Sequence, residues 1–571
     1  MSSEQGPPGV ADISSPSTPA SPEIPGAPPV FAFARLLEPQ YFLVVASALS
    51  IIWLGAHGSL RRPPSAAPPK LKKGEKRREE EKFIEGLVAS DVIRFPIMLA
   101  ATLMGLYYLI QWLQDPAILN TILRGYMSIM SIVGLGTLAG DALSNLTSLV
   151  FPTMWVDSKG VVHHIDEGQK RHYVVDKKTG EETTVEGKTT PLPGWFSHLK
   201  LSPLSTGLLW SLRYLITQEW TVRLAVSGSP VFNFELRLNE LLGYALAVVV
   251  SVAYHLTAWN ALSNILSTAM CYFSFMMFSP TSFTIGTMVL ASLFVYDVVM
   301  VFYTPYMITV AKNIDAPIKL VFTSPTGASM LGLGDIVVPG MLMALALRFD
   351  LFLHYRRQTR LEPVQLKAET TAGTTTTTTE HRRIKPRYVD IHGQWGNRFW
   401  TTPIGRLFPV RDASEPRTAT AFPKPYFYAS VVGYAAGMLA TLTAMLVFNH
   451  GQPALLYLVP GVTGALWLTG LLRGEVKDMW EYTEDGSLDT EDVVVEVDGK
   501  GQVVKEQEAG KQTEEEKEKE KEEKVEGEAG KETEKQDKEE EIHEVPVRVA
   551  EGHQELFLFS ITAPRGFVMV S

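Results

Sequence analysis

Apolar residues in this chain come in long blocks, not in the short alternations of half-buried strands. A helix needs about 20 apolar residues to cross the hydrocarbon core of a bilayer. Nine segments meet or approach that length: 38–57, 93–113, 126–151, 238–257, 259–278, 284–305, 333–353, 427–448 and 453–472. The pattern predicts an all-α, polytopic membrane protein with nine transmembrane helices. A further stretch, 203–216, is apolar but short and carries Arg213, so it reads as interfacial or re-entrant. A tenth crossing there would reverse every later loop.

Orientation follows from the basic loops, because cytosolic loops carry the excess of Lys and Arg. The loop after the first segment holds Arg61, Arg62, Lys70, Lys72, Lys73, Lys76, Arg77 and Arg78. The loop after the seventh holds Arg356, Arg357, Arg360, Arg382, Arg383, Lys385 and Arg387. With nine crossings both loops share a side with the end of the ninth segment, so the N-terminus is expected in the lumen and the C-terminus in the cytosol. The chain then divides into a disordered luminal tail (1–36), three helices with polar loops (37–235) and four helices (236–356). A basic, Thr-rich cytosolic loop (357–425), two helices (426–474) and an acidic disordered tail (475–571) complete it.

Composition narrows the function. The 571 residues carry a formal charge of −10, and 46% of them are hydrophobic. Most of the acidic excess lies in the Glu/Lys run at 507–541, and no folded-looking segment is strongly cationic, which argues against nucleic-acid binding. The single cysteine, Cys271, allows no intrachain disulfide and no Cys metal cluster, and its apolar neighbours make it a packing residue. Residues 1–30 are rich in Pro, Ser, Gly and Ala without Lys or Arg, unlike a cleavable signal peptide. The final stretch, 555–571, is apolar but broken by Pro564 and Arg565, and the pattern assigns it no element.

Acids inside spans carry the chemistry. A carboxylate at bilayer depth costs roughly 2.5–3.5 kcal/mol on insertion scales, so each one needs a reason. Asp297 lies two thirds along the sixth segment in LASLFVYDVVMVFYT, and Asp335 opens the seventh in MLGLGDIVVPG. On antiparallel neighbours, a late and an early position fall at similar depth. Two carboxyls held close share a proton, so one can act as general base on water while the other donates to a carbonyl. Gly332 and Gly334, around Leu333, allow positive φ and close approach of another chain. An extended substrate could then pair with this segment as an added strand. Gln452-Pro453-Ala454-Leu455 starts the ninth segment, with Pro453 at a first-turn position and Ala454 suited to close packing.

With Tyr296-Asp297, Gly332-Leu333-Gly334-Asp335 and Pro453-Ala454-Leu455 in this order on three apolar helices, the sequence resembles the presenilin-type GxGD intramembrane aspartyl proteases. Within them it is most similar to the signal peptide peptidase family. The runs ITVAKNIDAPIKLVF (308–322), LALRFD (345–350), QPALLYLVPG (452–461) and RGEVKDMW (473–480) carry the narrower resemblance, which covers roughly 235–480. It implies Asp297 and Asp335 as the catalytic pair, with Tyr296 supporting the first and Pro453-Ala454-Leu455 shaping the site. It implies no cofactor and no metal. It implies the endoplasmic reticulum membrane, and as substrates type II membrane segments, including remnant signal peptides. Partners would be the lipid bilayer, further copies of the chain and components of ER-associated degradation. The residues after Asp297 (Val298-Val299-Met300-Val301-Phe302-Tyr303) depart from the family pattern, and the loop at 357–425 is longer than the family leads one to expect.

Two rival readings use the same residues: a transporter or cation channel with buried acids on its path, and a non-cleaving protein that binds membrane clients for quality control. The ordered motifs favour the protease. Asp141, in GLGTLAGDALSN, reads as structural; Glu240 reads as a residue at the start of the fourth helix.

Overall fold

The computed structural model describes residues 39–562, apart from 69–84, 114–115, 158, 176–181, 186, 227–228, 315, 325–326, 370–374, 390–392, 394, 402–421, 449–450, 489–492, 498–502 and 509–556. The expected tail at 1–36 and the Glu/Lys run beyond 508 lie outside the described residues. The chain opens with α1 (Pro39–Gly58), β1 (Glu85–Leu87), α2 (Asp91–Leu113) and α3 (Pro116–Val150). A polar module follows, built from β2 (Met154–Val156), β3 (Val162–Asp166), β4 (Arg171–Val175), β5 (Glu182–Thr184) and α4 (Pro203–Thr217). The hairpin β6 (Glu219–Val226) and β7 (Ser229–Arg237) leads to α5 (Leu238–Thr257), α6 (Asn260–Met277) and β8 (Phe278–Pro280). Then come α7 (Phe283–Phe302), α8 (Tyr306–Asn313), the hairpin β9 (Lys319–Ser324) and β10 (Gly327–Gly332), and α9 (Gly334–Arg356). Strands β11 (Arg360–Glu369) and β12 (Thr375–Ile384) precede α10 (Trp395–Thr401), α11 (Pro425–Phe448), α12 (Leu455–Arg473) and α13 (Val476–Glu481). The tail adds β13 (Val493–Val497), β14 (Val503–Glu508) and β15 (Phe557–Thr562).

Among the described residues, eight helices are long and apolar enough to cross a membrane: α1, α2, α3, α5, α7, α9, α11 and α12. The expected ninth span is present as a helix, α6, but Asn260, Ser263, Asn264, Ser267 and Thr268 make its first half too polar to join them. The stretch 203–216 is α4, and it belongs to the polar module. Arg213 is fully buried there, donating to Glu167 at 2.9 Å and to the Pro152 and Pro191 carbonyls, while Trp210 packs against Trp155 and Ile165. An arginine committed inward in this way packs α4 onto the module, with Leu204, Leu208 and Leu212 exposed on its other face.

The centre of the bundle is α9, whose apolar residues are buried on every side. Such a helix has no outward stripe and must be surrounded. It packs against α1, α6, α7, α11 and α12, and Phe275, Phe283, Leu342, Leu345, Phe349, Tyr434 and Leu458 meet in one core. Beside it, α11 and α12 approach closely where Gly433 faces Gly461. A Cβ on Gly433 would stand 2.3 Å from the Gly461 carbonyl oxygen, so only glycine permits this spacing.

The tail is more structured than expected. The run after α12 folds back through α13, and Glu484 is buried in the bundle, so the boundary expected at 474 falls inside the packed unit. Strands β13 and β14 join β11 and β12 in a four-stranded sheet, and β15 pairs with β6. Antiparallel pairing of β12 with β13 thus links the basic loop to the acidic tail. The apolar stretch at 555–571, to which the sequence pattern assigns no element, contributes that β15 strand.

Candidate active site

Asp297 is held in the middle of apolar sequence on α7 and is only 3% exposed. Its side chain cannot reach the helix end, so its partner has to come from another helix. That partner is the start of α12: the Leu455 N–H donates to Asp297 Oδ2 at 3.0 Å. The first N–H groups of a helix have no partner within it, and the positive end of the helix dipole points the same way. A carboxylate there satisfies an orphan donor.

This contact corrects the expected placement of Pro453. The helix begins at Leu455 with Ala454 as N-cap, so Pro453 lies ahead of the first turn. Its carbonyl accepts from the Leu456 N–H at 3.3 Å, and the Ala454 carbonyl accepts from Tyr457 and Leu458, both at 3.1 Å. The tight turn leaves the Leu455 N–H to Asp297. Gln452 stands at the mouth of this turn, where Tyr457 Oη donates to its Oε1 at 3.5 Å.

Asp335 is in the first turn of α9 and half-buried. Asp297 lies near enough for the two carboxyl groups to interact electrostatically. Tyr296, half-buried, adjoins Asp297 on α7. The expected use of glycine in a left-handed backbone is not realised, since neither Gly332 nor Gly334 has a positive φ. Gly334 is exposed, and a Cβ there would meet nothing within 4 Å. A Cβ on Gly332 would lie 3.4 Å from Asp335 Oδ2. Space beside the carboxyl, not backbone freedom, is what these positions provide.

The hairpin that delivers Asp335 has one closed and one open edge. Asn264 of α6 brackets Val321: its Nδ2 donates to the Val321 carbonyl at 2.8 Å and its Oδ1 accepts from the Val321 N–H at 2.9 Å. Ser267 donates to the Lys319 carbonyl at 3.3 Å. Those groups of β9 point away from β10, so Val321–Met330 and Lys319–Gly332 are the non-hydrogen-bonded pairs of the ladder. The next pair in the alternation agrees, because the Leu333 N–H donates to the Ile318 carbonyl at 3.2 Å. The backbone groups of Met330 and Gly332 therefore face the outer edge of β10. No third strand pairs there among the described residues.

Other acids have structural partners. Asp141 accepts from Tyr272 Oη at 2.5 Å and ties α3 to α6. Glu240 accepts from the Arg237 N–H at 3.2 Å and caps α5. Cys271 is fully buried. A polar cavity of about 850 Å³, lined by Ser144, Thr147, Glu167, Arg213, Thr217 and Asn239 among others, lies where α3 meets the module, and neither Asp297 nor Asp335 lines it. Sequence reasoning missed Tyr434, whose hydroxyl reaches the Asp335 carbonyl at 3.2 Å, and Asn264. Pro339, four residues after Asp335, was the available signal for the first.

A family model described as signal peptide peptidase matches residues 78–486. Signal peptide peptidase of Homo sapiens is 29% identical over 267 residues, which is 45% of this chain and 53% of that protein. The protein of the same name in Mus musculus is 30% identical with the same coverage. Intramembrane protease 2 of Caenorhabditis elegans is 34% identical over 226 residues, 38% of this chain and 37% of that protein. The chain thus spans about half the length, or less, of these curated relatives. No solved structure matches it.

Proposed function

The chain belongs to the signal peptide peptidase family, and from that premise we propose that it is an intramembrane aspartyl endopeptidase whose catalytic pair is Asp297 and Asp335. Its substrates are transmembrane segments of type II membrane proteins, remnant signal peptides among them. The observation that carries this reading is that two acids, one from α7 and one from α9, stand near enough to interact electrostatically, at the end of a strand with an open edge.

The chemistry follows from that arrangement. A helical substrate hides its carbonyls in hydrogen bonds and must be extended before attack. The outward N–H and C=O groups of Met330 and Gly332 offer a template for such a strand. Strand pairing there lays the scissile bond beside Asp335, and the open space at Gly334 accommodates the passing chain. One ionised carboxyl takes a proton from water as its oxygen bonds to the substrate carbonyl carbon. The protonated carboxyl donates to the carbonyl oxygen, giving a neutral tetrahedral diol. As the C–N bond breaks, the diol loses a hydroxyl proton to a carboxylate and the leaving nitrogen gains one, so the pair returns to sharing a single proton. The Leu455 N–H holds Asp297 in place throughout.

The same reading assigns the chain to the endoplasmic reticulum membrane, N-terminus luminal and C-terminus cytosolic. Its partners are the bilayer, further copies of the chain and components of ER-associated degradation. Support for these comes from the family and from the distribution of basic residues.

Asp297→Asn and Asp335→Asn are each expected to abolish cleavage of a type II signal-peptide reporter by purified, reconstituted protein, with insertion unchanged and melting no lower. Cleavage by either variant overturns the assignment. Ion flux through the wild type, lost in the same variants, would favour a transporter instead.

A further inference from the structure

We propose that Tyr434 is a positioning residue for Asp335, acting through the Asp335 backbone carbonyl. The inference rests on the reading of Asp335 as a catalytic carboxyl. In an α-helix the carbonyl of one residue accepts from the N–H four residues later. For Asp335 that residue is Pro339, inside α9, and proline has no N–H. The carbonyl is orphaned at the residue whose side chain most needs a fixed position.

Tyr434 fills the vacancy. It sits on α11, fully buried, and its hydroxyl donates to the Asp335 carbonyl at 3.2 Å. A buried tyrosine hydroxyl needs a partner, and a buried carbonyl needs a donor. Around this bond the first turn of α9 is otherwise regular, with the Leu333 carbonyl accepting from Ile336 at 3.1 Å and from Val337 at 2.8 Å. Pro339 therefore removes one internal tie, and a neighbouring helix replaces it.

The consequence reaches both acids. Asp297 is tied to α12 by the Leu455 N–H, and Asp335 is tied to α11 by Tyr434. Gly433, next to Tyr434, is the residue that lets α11 close on α12 at Gly461. Two carboxyls on separate helices are thus referenced to one two-helix unit. Their separation is set by α11 and α12 together, as well as by the direct packing of α7 on α9.

The test is a kinetic cycle on the reconstituted full chain with a type II reporter: wild type, Tyr434→Phe, Pro339→Ala, the double variant, and Asp335→Asn as control. Tyr434→Phe keeps the ring and loses the hydroxyl, so kcat should fall about ten- to a hundredfold with KM within about twofold. Pro339→Ala supplies a backbone N–H for the same carbonyl. The double variant should therefore return to within about threefold of Pro339→Ala alone. A packing role for Tyr434 would give the same loss in both backgrounds, and that result overturns the proposal, as does a Tyr434→Phe protein with wild-type kcat. Cleavage by Asp335→Asn would instead overturn the catalytic assignment itself. An inactive Asp335→Asn beside a fully active Tyr434→Phe overturns only the positioning role.

Discussion

At its N-terminal end α9 brings Asp335 within electrostatic reach of Asp297, and no salt bridge reaches either acid among the described residues. At its other end Arg348, 3% exposed, meets Glu484, and there every charge is answered. Arg348 Nε donates to Glu484 Oε1 at 2.8 Å, and its two Nη groups donate to Ser59 at 2.8 Å and Ser279 at 2.6 Å. Arg61 pairs with Glu484 Oε2, Ser279 donates to the same oxygen at 2.7 Å, and Tyr482 donates to Oε1 at 2.9 Å. Burial pushes Glu484 up, but the Arg348 and Arg61 guanidiniums and the Ser279 hydroxyl pull it further down, to below the usual carboxylate range. A buried acid given two cations is fixed as an anion and serves as a lock. On the proposed reading, an acid given another acid as neighbour shares a proton with it, which general acid–base catalysis needs.

The largest expected effect tests that contrast directly. Glu484→Gln leaves Arg348 buried without its counter-charge, which should lower stability by about 3–5 kcal/mol. Asp297→Asn and Asp335→Asn remove no cation's partner and should leave the melting midpoint in detergent unchanged or higher. Equal melting losses at both ends would break the comparison. Acid gives a second reading of the lock. A carboxyl depressed in the folded state contributes stability above its unfolded value, and that contribution is lost as the pH falls through the folded one. The wild type should therefore lose stability as the pH falls below about 4.5, the ordinary Glu range, while Glu484→Gln shows a flatter acid limb.

A smaller effect is expected two residues beyond Arg348, at Asp350. Asp350 accepts from the Phe427 N–H at 2.9 Å and the Tyr426 N–H at 3.3 Å, so α9 caps the start of α11 from outside that helix. Asp350→Ala should cost about 2 kcal/mol, the range for a lost cap with buried donors left over. Because α11 also carries Tyr434, kcat should fall too, but less than in Tyr434→Phe. Melting and kinetics on one preparation check both. A variant that melts early with full kcat would separate the cap from the site.

What the sequence disclosed follows the same division. The apolar segments were legible because a bilayer makes length and hydrophobicity obligatory, and Asp297 and Asp335 stood out because a carboxyl there is costly. The short strands of the polar module were not, since three- to five-residue strands such as VHHID alternate too briefly to be recognised. The lock was hidden for another reason: Arg61 lies in a basic loop, Arg348 inside the seventh apolar segment and Glu484 in the stretch expected to be an acidic tail, and nothing in the sequence joins the three. Only packing brings them together. The tie from Leu455 to Asp297 was half legible, as a helix start with no visible partner. The role of Tyr434 was illegible at Tyr434 itself, and its trace lay in the spacing of Pro339 from Asp335.

The polar module offers a third kind of buried charge, a lysine set against an imidazole and an indole ring, and the smallest expected effect. Lys188 Nζ donates to His163 Nε2 at 2.9 Å and stands 4.1 Å above the Trp155 ring, against which His163 stacks at 4.6 Å. Burial pulls Lys188 down to about 8, opposed by Asp157. Burial, then the Lys188 charge, pulls His163 down to about 4, so the imidazole is neutral at pH 7 and can accept the ammonium proton. Both groups bind protons more weakly folded than unfolded. Stability therefore rises with pH wherever the unfolded chain is the more protonated, once between about 4 and 6.5 for His163 and again between about 8 and 10.5 for Lys188. Lys188→Met keeps an unbranched side chain over Trp155 and removes the ammonium. It should change stability at pH 7 by less than about 1 kcal/mol, because loss of the cation–π contact and relief of desolvation oppose each other. It should erase the alkaline rise, while the acid rise persists through burial of His163 but shrinks with the loss of the Lys188 charge. Hydrogen exchange of β2, β3 and β4 across pH, corrected for intrinsic rates, reads both limbs. Persistence of the alkaline rise in Lys188→Met would mean that another group titrates there, and the module would then hold its charge as the lock does.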